Sequence, residues 1–529
     1  MKQIFILFSI LTLAVSTSAQ TKTKWFKAVR RAQAVCYTYK EDGTVAGRSN
    51  AVVLGEEGDV LTQYDILRNA SRAEIITNDG KKYDVTAIVA ANSLYNIAQL
   101  RSNCGMDGVR VAAKDAAMSS EVYVMPSTAN SKQSLCKNMS VSQVEKINNG
   151  EHSYYSFTGQ RFGDSDATLA DIFTKAEEFL PVMNAEGELV AMTQHNSSAQ
   201  EAEESLYGVS ARYVMSCRPG SMNILSPDYL QLRLPILLPD DKQQAEAVLF
   251  LMPRTNALRY EQMVRQYIAK YPQAPFGYNT LAEFKAANGK NEEAQTVYDN
   301  ALNEIAGDGR DEVLYSESKF LASDSATLDR AFDAVSQAIA INPQPVYRKH
   351  LADLMLARRR YDEARDIYVD LANTPLRSAE VFLSAAQCVP QTDSLYLALL
   401  DSAVNCYPTP YPTDALPVLW LRADARHNAQ KYRLAVADYN DFEHLASGRV
   451  SAEFYYRRSE SELAGRLYQL ALDDAQRAVE KDGGNALYLI HLANIYIRVG
   501  QKDDAVPLLR KAADLGEPAA KEWLEKNVK

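Results

Sequence analysis

The chain has 529 residues, 57 Lys and Arg against 67 Asp and Glu, and a formal charge of −10. That acidic balance excludes a general nucleic-acid or anionic-membrane surface, because both need an excess of cations. With 47% hydrophobic residues the chain can bury sizeable cores, has the length for about two to four domain-sized units, and is not disordered as its general state.

The first residues read as an address and not as fold. Lys2 gives a positive start, Ile4 to Val15 is mostly apolar, and Thr17-Ser18-Ala19 places small residues where a signal peptidase cleaves. A signal peptide over 1–19 is therefore expected, with Gln20 as the mature start. The apolar run is too short to cross a bilayer, and no Cys follows the cleavage site to carry a lipid. The mature protein is expected in a periplasmic or extracellular compartment, without a transmembrane segment.

Residues 25–217 read as short strands of period two broken by turns, the pattern of an all-β sandwich or barrel. Candidate strands are Ala34 to Tyr39, Ala51 to Leu54, Ala73 to Thr77, Tyr83 to Ala90, Glu121 to Met125 and Glu188 to Thr193. Asn78-Asp79-Gly80 and Asn184-Ala185-Glu186-Gly187 supply tight-turn residues between strands. Cys36, Cys104, Cys136 and Cys217 fall in this half, and their spacing leaves every pairing open. No CxxC and no Cys/His cluster occurs, so no metal or other cofactor is expected.

Here the order of short motifs resembles a known family. Ala51-Val52-Val53-Leu54, then Gly58 to Leu67, then Asn96-Ile97-Ala98-Gln99-Leu100, then Pro181 to Val190 resemble the framework of trypsin-like serine proteases of the periplasmic HtrA type. That resemblance implies a double β-barrel and places this chain's Asp65 at the general base, Asn96 at the orienting acid and Glu178 at the nucleophile. None of the three is the residue that acyl transfer by this route needs, and the glycines that let the nucleophile loop bend are replaced by Ala176-Glu177-Glu178-Phe179-Leu180. No His precedes His152, so no shift of alignment supplies a base from the first barrel. His152 and His195 are expected at the surface or in loops. If Asp65 and Glu178 face each other across a cleft, a coupled carboxylate pair that shares a proton or holds a cation is the alternative.

Residues 218–241, with Pro219, Pro227, Pro235 and Pro239, read as a linker. From 243 to 529 the texture becomes helical, and a small–bulky–third-residue pattern recurs. It is found as Ala294/Tyr298/Ala301, Ala331/Val335/Ala338, Ala364/Tyr368/Leu371, Ala435/Tyr439/Phe442, Ala471/Ala475/Ala478 and Ala505/Leu509/Ala512, with weaker copies around Tyr260 and Tyr396. Including the weaker copies, successive first members lie 32 to 39 residues apart. The region thus resembles the tetratricopeptide (TPR) repeat, implying an all-α superhelix of about seven to eight hairpins. Cys388 and Cys406 fall near opposite ends of one such hairpin, roughly 20 Å apart and beyond disulfide reach, so they are expected as thiols.

The TPR resemblance also implies a concave groove. Its ninth positions would be Glu283, Asp353, Asp424, Glu460 and Asn494, and its fifth positions include Lys349, Trp420 and Tyr456. No repeat carries the Lys and Asn pair of the family's carboxylate clamp, so partner peptides are expected to bind internally and not by a free C-terminal carboxylate. The sequence as a whole reads as an exported, non-catalytic adaptor with a pseudoprotease half, binding polypeptides. The alternatives are an active trypsin-like endopeptidase whose TPR array recruits substrate, and a structural subunit of an envelope secretion or surface complex.

Overall fold

In the computed structural model the described residues are 25–55, 57–125, 136–159, 179–194 and 205–528. The expected leader, Glu178 and His195 lie outside them. Two compact units divide the chain, Met1–Phe284 and Lys285–Lys529.

The first unit opens with two closed barrels of six strands each. The first comprises β1 (Gln33–Tyr39), β2 (Val45–Leu54), β3 (Asp59–Thr62), β4 (Arg72–Thr77), β5 (Lys82–Asn92) and β6 (Ile97–Ser102). The second comprises β7 (Glu121–Val124), β8 (Lys137–Ile147), β9 (His152–Gly159), β10 (Pro181–Met183), β11 (Leu189–Gln194) and β12 (Ser205–Ser210). Around the first barrel the strands run β1-β2-β3-β6-β5-β4, and around the second β7-β8-β9-β12-β11-β10, one topology used twice with antiparallel pairing throughout. Closure removes the sheet edges that an open sheet of this size would expose. The expected β4–β5 turn is made as the sequence implies, with Gly80 at φ +81°. Gly187 in the β10–β11 turn combines φ +82° with close approach to Trp25, where a Cβ would lie 2.6 Å from the indole stem.

β8 and β9 are strands that the sequence pattern hides. β8 reads Asn138-Met139-Ser140-Val141 in clean alternation, but a register shift between Val141 and Gln143 breaks the period. The second core gathers Val122, Val124, Met139, Val141, Tyr155, Phe157 and Val182.

Residues 218–241, expected as a linker, are packed on the first barrel. Ile236 bridges Ile88, Leu232 bridges Arg68, and the Pro235 carbonyl accepts from Ile88 N–H at 2.8 Å. Leu232, Leu234, Ile236 and Leu238 alternate inward and are all buried. The alternation that makes a half-buried strand outweighs the prolines, which fall where no ladder hydrogen bond is needed.

The second unit is all helix. Hairpins are formed by α1 (Arg310–Leu321) with α2 (Leu328–Ile341), α3 (Pro345–Ala357) with α4 (Tyr361–Leu371), and α5 (Ala379–Gln387) with α6 (Ser394–Val404). They continue with α7 (Leu416–Asn428) and α8 (Tyr432–Leu445), α9 (Ala452–Ala464) and α10 (Tyr468–Lys481), and α11 (Ala486–Arg498) and α12 (Lys502–Asp514). Each hairpin also packs against the next. Ala331, Ala364, Ala435, Ala471 and Ala505 are fully buried, as small residues at a close helix crossing must be. Cys388 and Cys406 stand as thiols, each donating to the carbonyl four residues back at 3.3 and 3.4 Å. Among the described residues no helix is long and apolar enough to cross a membrane.

Candidate functional site

The turn after β3 is a short 3₁₀ segment, Asp65–Leu67, and Asn96 immediately precedes β6. Strands β3 and β6 are hydrogen-bonded neighbours, so the fold brings these two residues together. Asn96 Oδ1 accepts the Asp65 backbone N–H at 2.8 Å, with Asn96 at φ +46°. Asn tolerates that left-handed backbone better than most residues because its short polar side chain bonds locally. The Asp65 carboxylate points outward, paired with Arg68 at 3.2 Å. A carboxylate held by a surface arginine and an amide spent on a backbone N–H provide neither a neutral base nor an orienting acid. The juxtaposition of Asp65 with Glu178 lies outside the described residues. Phe179, the next residue, is buried at φ +62°, a backbone state that costs an aromatic residue about 1 kcal/mol or more and that glycine would occupy without strain.

Beside Asn96 a ring cluster ties the barrels together. Tyr95 packs 5.1 Å from Tyr213 and 5.9 Å from Tyr154, and Tyr154 stacks on Tyr207 at 6.5 Å. The Tyr95 carbonyl also accepts from Gln194 Nε2. His152 corrects a sequence expectation. It is buried against Tyr213 at 5.5 Å, with no hydrogen bond at Nδ1, and is neither in a loop nor at the surface. It opens β9 on the face opposite the core residues Tyr155 and Phe157, and it is buried there because Tyr213 covers it. Burial pushes the Tyr154 and Tyr213 hydroxyls up, so these rings are uncharged packing groups at neutral pH.

In the array, three of the acids at the ninth positions are engaged by the array itself. Asp353 accepts the Tyr368 hydroxyl at 2.6 Å, and Asp424 accepts that of Tyr439. In both cases the tyrosine lies 15 residues on, across the hairpin from the acid. Glu460 accepts the hydroxyl of Tyr456, four residues earlier on the same helix, at 2.7 Å. Lys349 bridges Asp353 at 3.3 Å and Glu380 at 3.1 Å. Partial burial pulls its ammonium down, and the two carboxylates outweigh this and hold it above its ordinary value. Trp420 is half-buried and meets Phe442 at 5.4 Å, Tyr439 at 5.9 Å and Phe454 at 6.1 Å. Tyr456 packs 5.2 Å from Tyr488 and 5.0 Å from His491. Glu283 and Asn494 are exposed.

The array holds a buried ionic ladder that the groove reading passed over. Arg422 grips Asp438 through Nε at 3.1 Å and Nη2 at 2.7 Å. Thirty-six residues on, Arg458 grips Asp474 at 2.5 and 3.1 Å. Arg426 and Asp401 extend the first pair, and Glu443 the second. The signal was an Arg, then an Asp 16 residues later, twice at the repeat period. Glu462 sits beside the second pair, 3% exposed, with Oε2 unpartnered. Burial, added to by Asp474, pushes its carboxyl up to about 8.

No family model and no curated protein matches the chain. Among solved structures it is similar to the active form of the Rv3671c protease from M. tuberculosis, at 13% identity and TM-score 0.28, over 38% of this chain and 84% of that one. It is also similar to the MamA RS-1 ArsTM double mutant, at 15% identity and TM-score 0.28, over 32% of this chain and 93% of that one. At these identities the chemistry of the site is carried by the residues of this chain alone.

Proposed function

We propose that this protein is an exported, non-catalytic adaptor that binds polypeptide segments along its helical array, with a pseudoprotease double barrel at its N-terminal end. The observation that carries the reading is the corner at Asp65 and Asn96. The two positions that the protease framework assigns to base and orienting acid are in contact, yet they interact through a backbone N–H and an amide, and the barrel that bears them contains no histidine. Repeating hairpins support the binding half, since a stack of such units presents an extended concave surface whose side chains vary while its core repeats. Half-buried aromatics beside acids, Trp420 with Asp424 and Tyr456 with Glu460, suit a segment carrying apolar and basic residues.

The test is direct. Protein lacking residues 1–19 is incubated with casein and with a fluorophosphonate serine probe, and neither turnover nor labelling is expected. Replacing Glu178→Ser alone restores neither, because base and orienter are missing as well. Casein hydrolysis that disappears in Glu178→Ala would overturn the reading.

A further inference from the structure

The first unit contains an open cleft of about 1000 Å³, formed where residues 224–233 and 252–259 meet the turn after β3. Its lining carries three arginines, Arg68, Arg233 and Arg259, against one glutamate, Glu41. Arg68 is answered by Asp65 at 3.2 Å and Arg233 by Glu41 at 3.2 Å, both at the solvent face. Arg259 is different. It is 6% exposed, lies in the first turn of the helix Ala257–Lys270, and meets no carboxylate among the described residues. Its Nη1 donates to the Leu232 carbonyl and, at 3.1 Å, to that of Tyr229, while Nε has no partner. The Tyr229 carbonyl ends the short helix Pro227–Leu230 and that of Leu232 follows it in the chain, and together they account for one nitrogen of a guanidinium that has three. Burial alone pulls Arg259 down to about 10, so it keeps its charge at neutral pH, and no carboxylate among the described residues offsets the loss of water. A buried cation without a counter-ion is costly, and proteins ordinarily pair it. Leu230 and Met252 add apolar wall on the same lining.

We infer that this cleft binds a carboxylate, presented by an acidic side chain or a chain terminus flanked by apolar residues, with Arg259 as its buried anchor and Arg233 at its rim. Guanidinium to carboxylate is the pairing that best satisfies a planar fork of donors, and the cleft has the size of a site for a short peptide. The inference concerns the first unit and stands apart from any binding along the array.

Isothermal titration of the intact protein tests it with four probes. These are N-acetyl-Leu-Glu-Leu-amide, the same peptide with Gln for Glu, N-acetyl-tri-leucine with a free carboxylate, and inorganic phosphate. At least one carboxylate peptide is expected to bind about tenfold or more tighter than the Gln peptide, the loss expected for one charged hydrogen-bonded pair. The side-chain and terminal probes separate the two sources. Arg259→Gln is expected to remove that preference, and since it also removes a cap, its fold is checked by circular dichroism. Arg233→Gln, a surface change, is expected to fold normally and weaken the carboxylate peptide severalfold. Neither carboxylate probe binding more tightly than the Gln peptide, binding of phosphate alone, or an Arg233→Gln protein indistinguishable from the parent would each overturn the assignment.

Discussion

Replacing Glu462 with Gln should stabilise the array, and should do so only at high pH. Glu462 lies on α9 with Arg458, whose fork is already filled by Asp474 and Glu443, so its own carboxylate is left buried without a partner charge. Its folded value, about 8, exceeds the ordinary 4.5. A carboxyl raised on folding binds its proton more tightly in the native state. Stability is therefore fully present below 4.5, declines as pH rises through the window between 4.5 and 8, and reaches its lower level above 8. The full shift corresponds to on the order of 5 kcal/mol, and relaxation around the charged group reduces what is observed. If about half survives, a unit of this size should melt roughly 5–10 °C higher as the Gln variant at pH 9, with little difference at pH 5. The assay is thermal unfolding followed at 222 nm across pH 5 to 9 for both proteins. A parent whose melting temperature is flat over that range, or a Gln variant displaced equally at both ends, would refute the reasoning.

Trp420→Ala should cost about 2–4 kcal/mol, because the ring is half-buried among Tyr439, Phe442 and Phe454. Melting and partner capture are measured together: a half-buried ring that packs inward and meets the partner outward should lose both, and unchanged melting would refute the packing. Tyr368→Phe deletes a 2.6 Å bond to the Asp353 carboxylate and should cost about 1–2 kcal/mol in chemical denaturation, whereas Tyr361→Phe, exposed at the start of α4, should be neutral. Asp474→Asn leaves Arg458 buried with half its charge unanswered and should destabilise by about 3–5 kcal/mol, read by the same denaturation. Limited trypsin digestion should spare the bond after Arg233 although its side chain is exposed, because Leu232 and Ile236 are bridged to the barrel. Early cleavage there, found by mass spectrometry of the fragments, would restore the linker reading of 218–241.

Six of the twelve barrel strands were legible, and β1 and β4 show why, since a half-buried strand writes its burial as period two. Where the pattern failed, in β8, a bulge had shifted the phase. The acids at Asp353 and Asp424 looked solvent-facing or groove-facing because helix periodicity says only which side of a helix a residue occupies. It does not say that a tyrosine on the next helix reaches over to bond it. The same blindness hid Arg259, whose isolation depends on what three separate segments fail to provide.

The repeat and its period belong to the sequence itself, since each hairpin needs its own small residue at the crossing, and Ala331, Ala364, Ala435 and Ala471 state that need locally and repeatedly. The absence of a histidine from the first barrel is likewise settled by composition, whatever the fold. Only the tertiary structure decided that 218–241 lies on the barrel, that Asn96 holds the Asp65 amide, that Arg422 and Arg458 are paired inside the array, and that Arg259 meets no carboxylate among the described residues. These are matters of which distant groups meet after burial. The free energy of a buried charge depends on every neighbour at once, and no local pattern in the chain records them all.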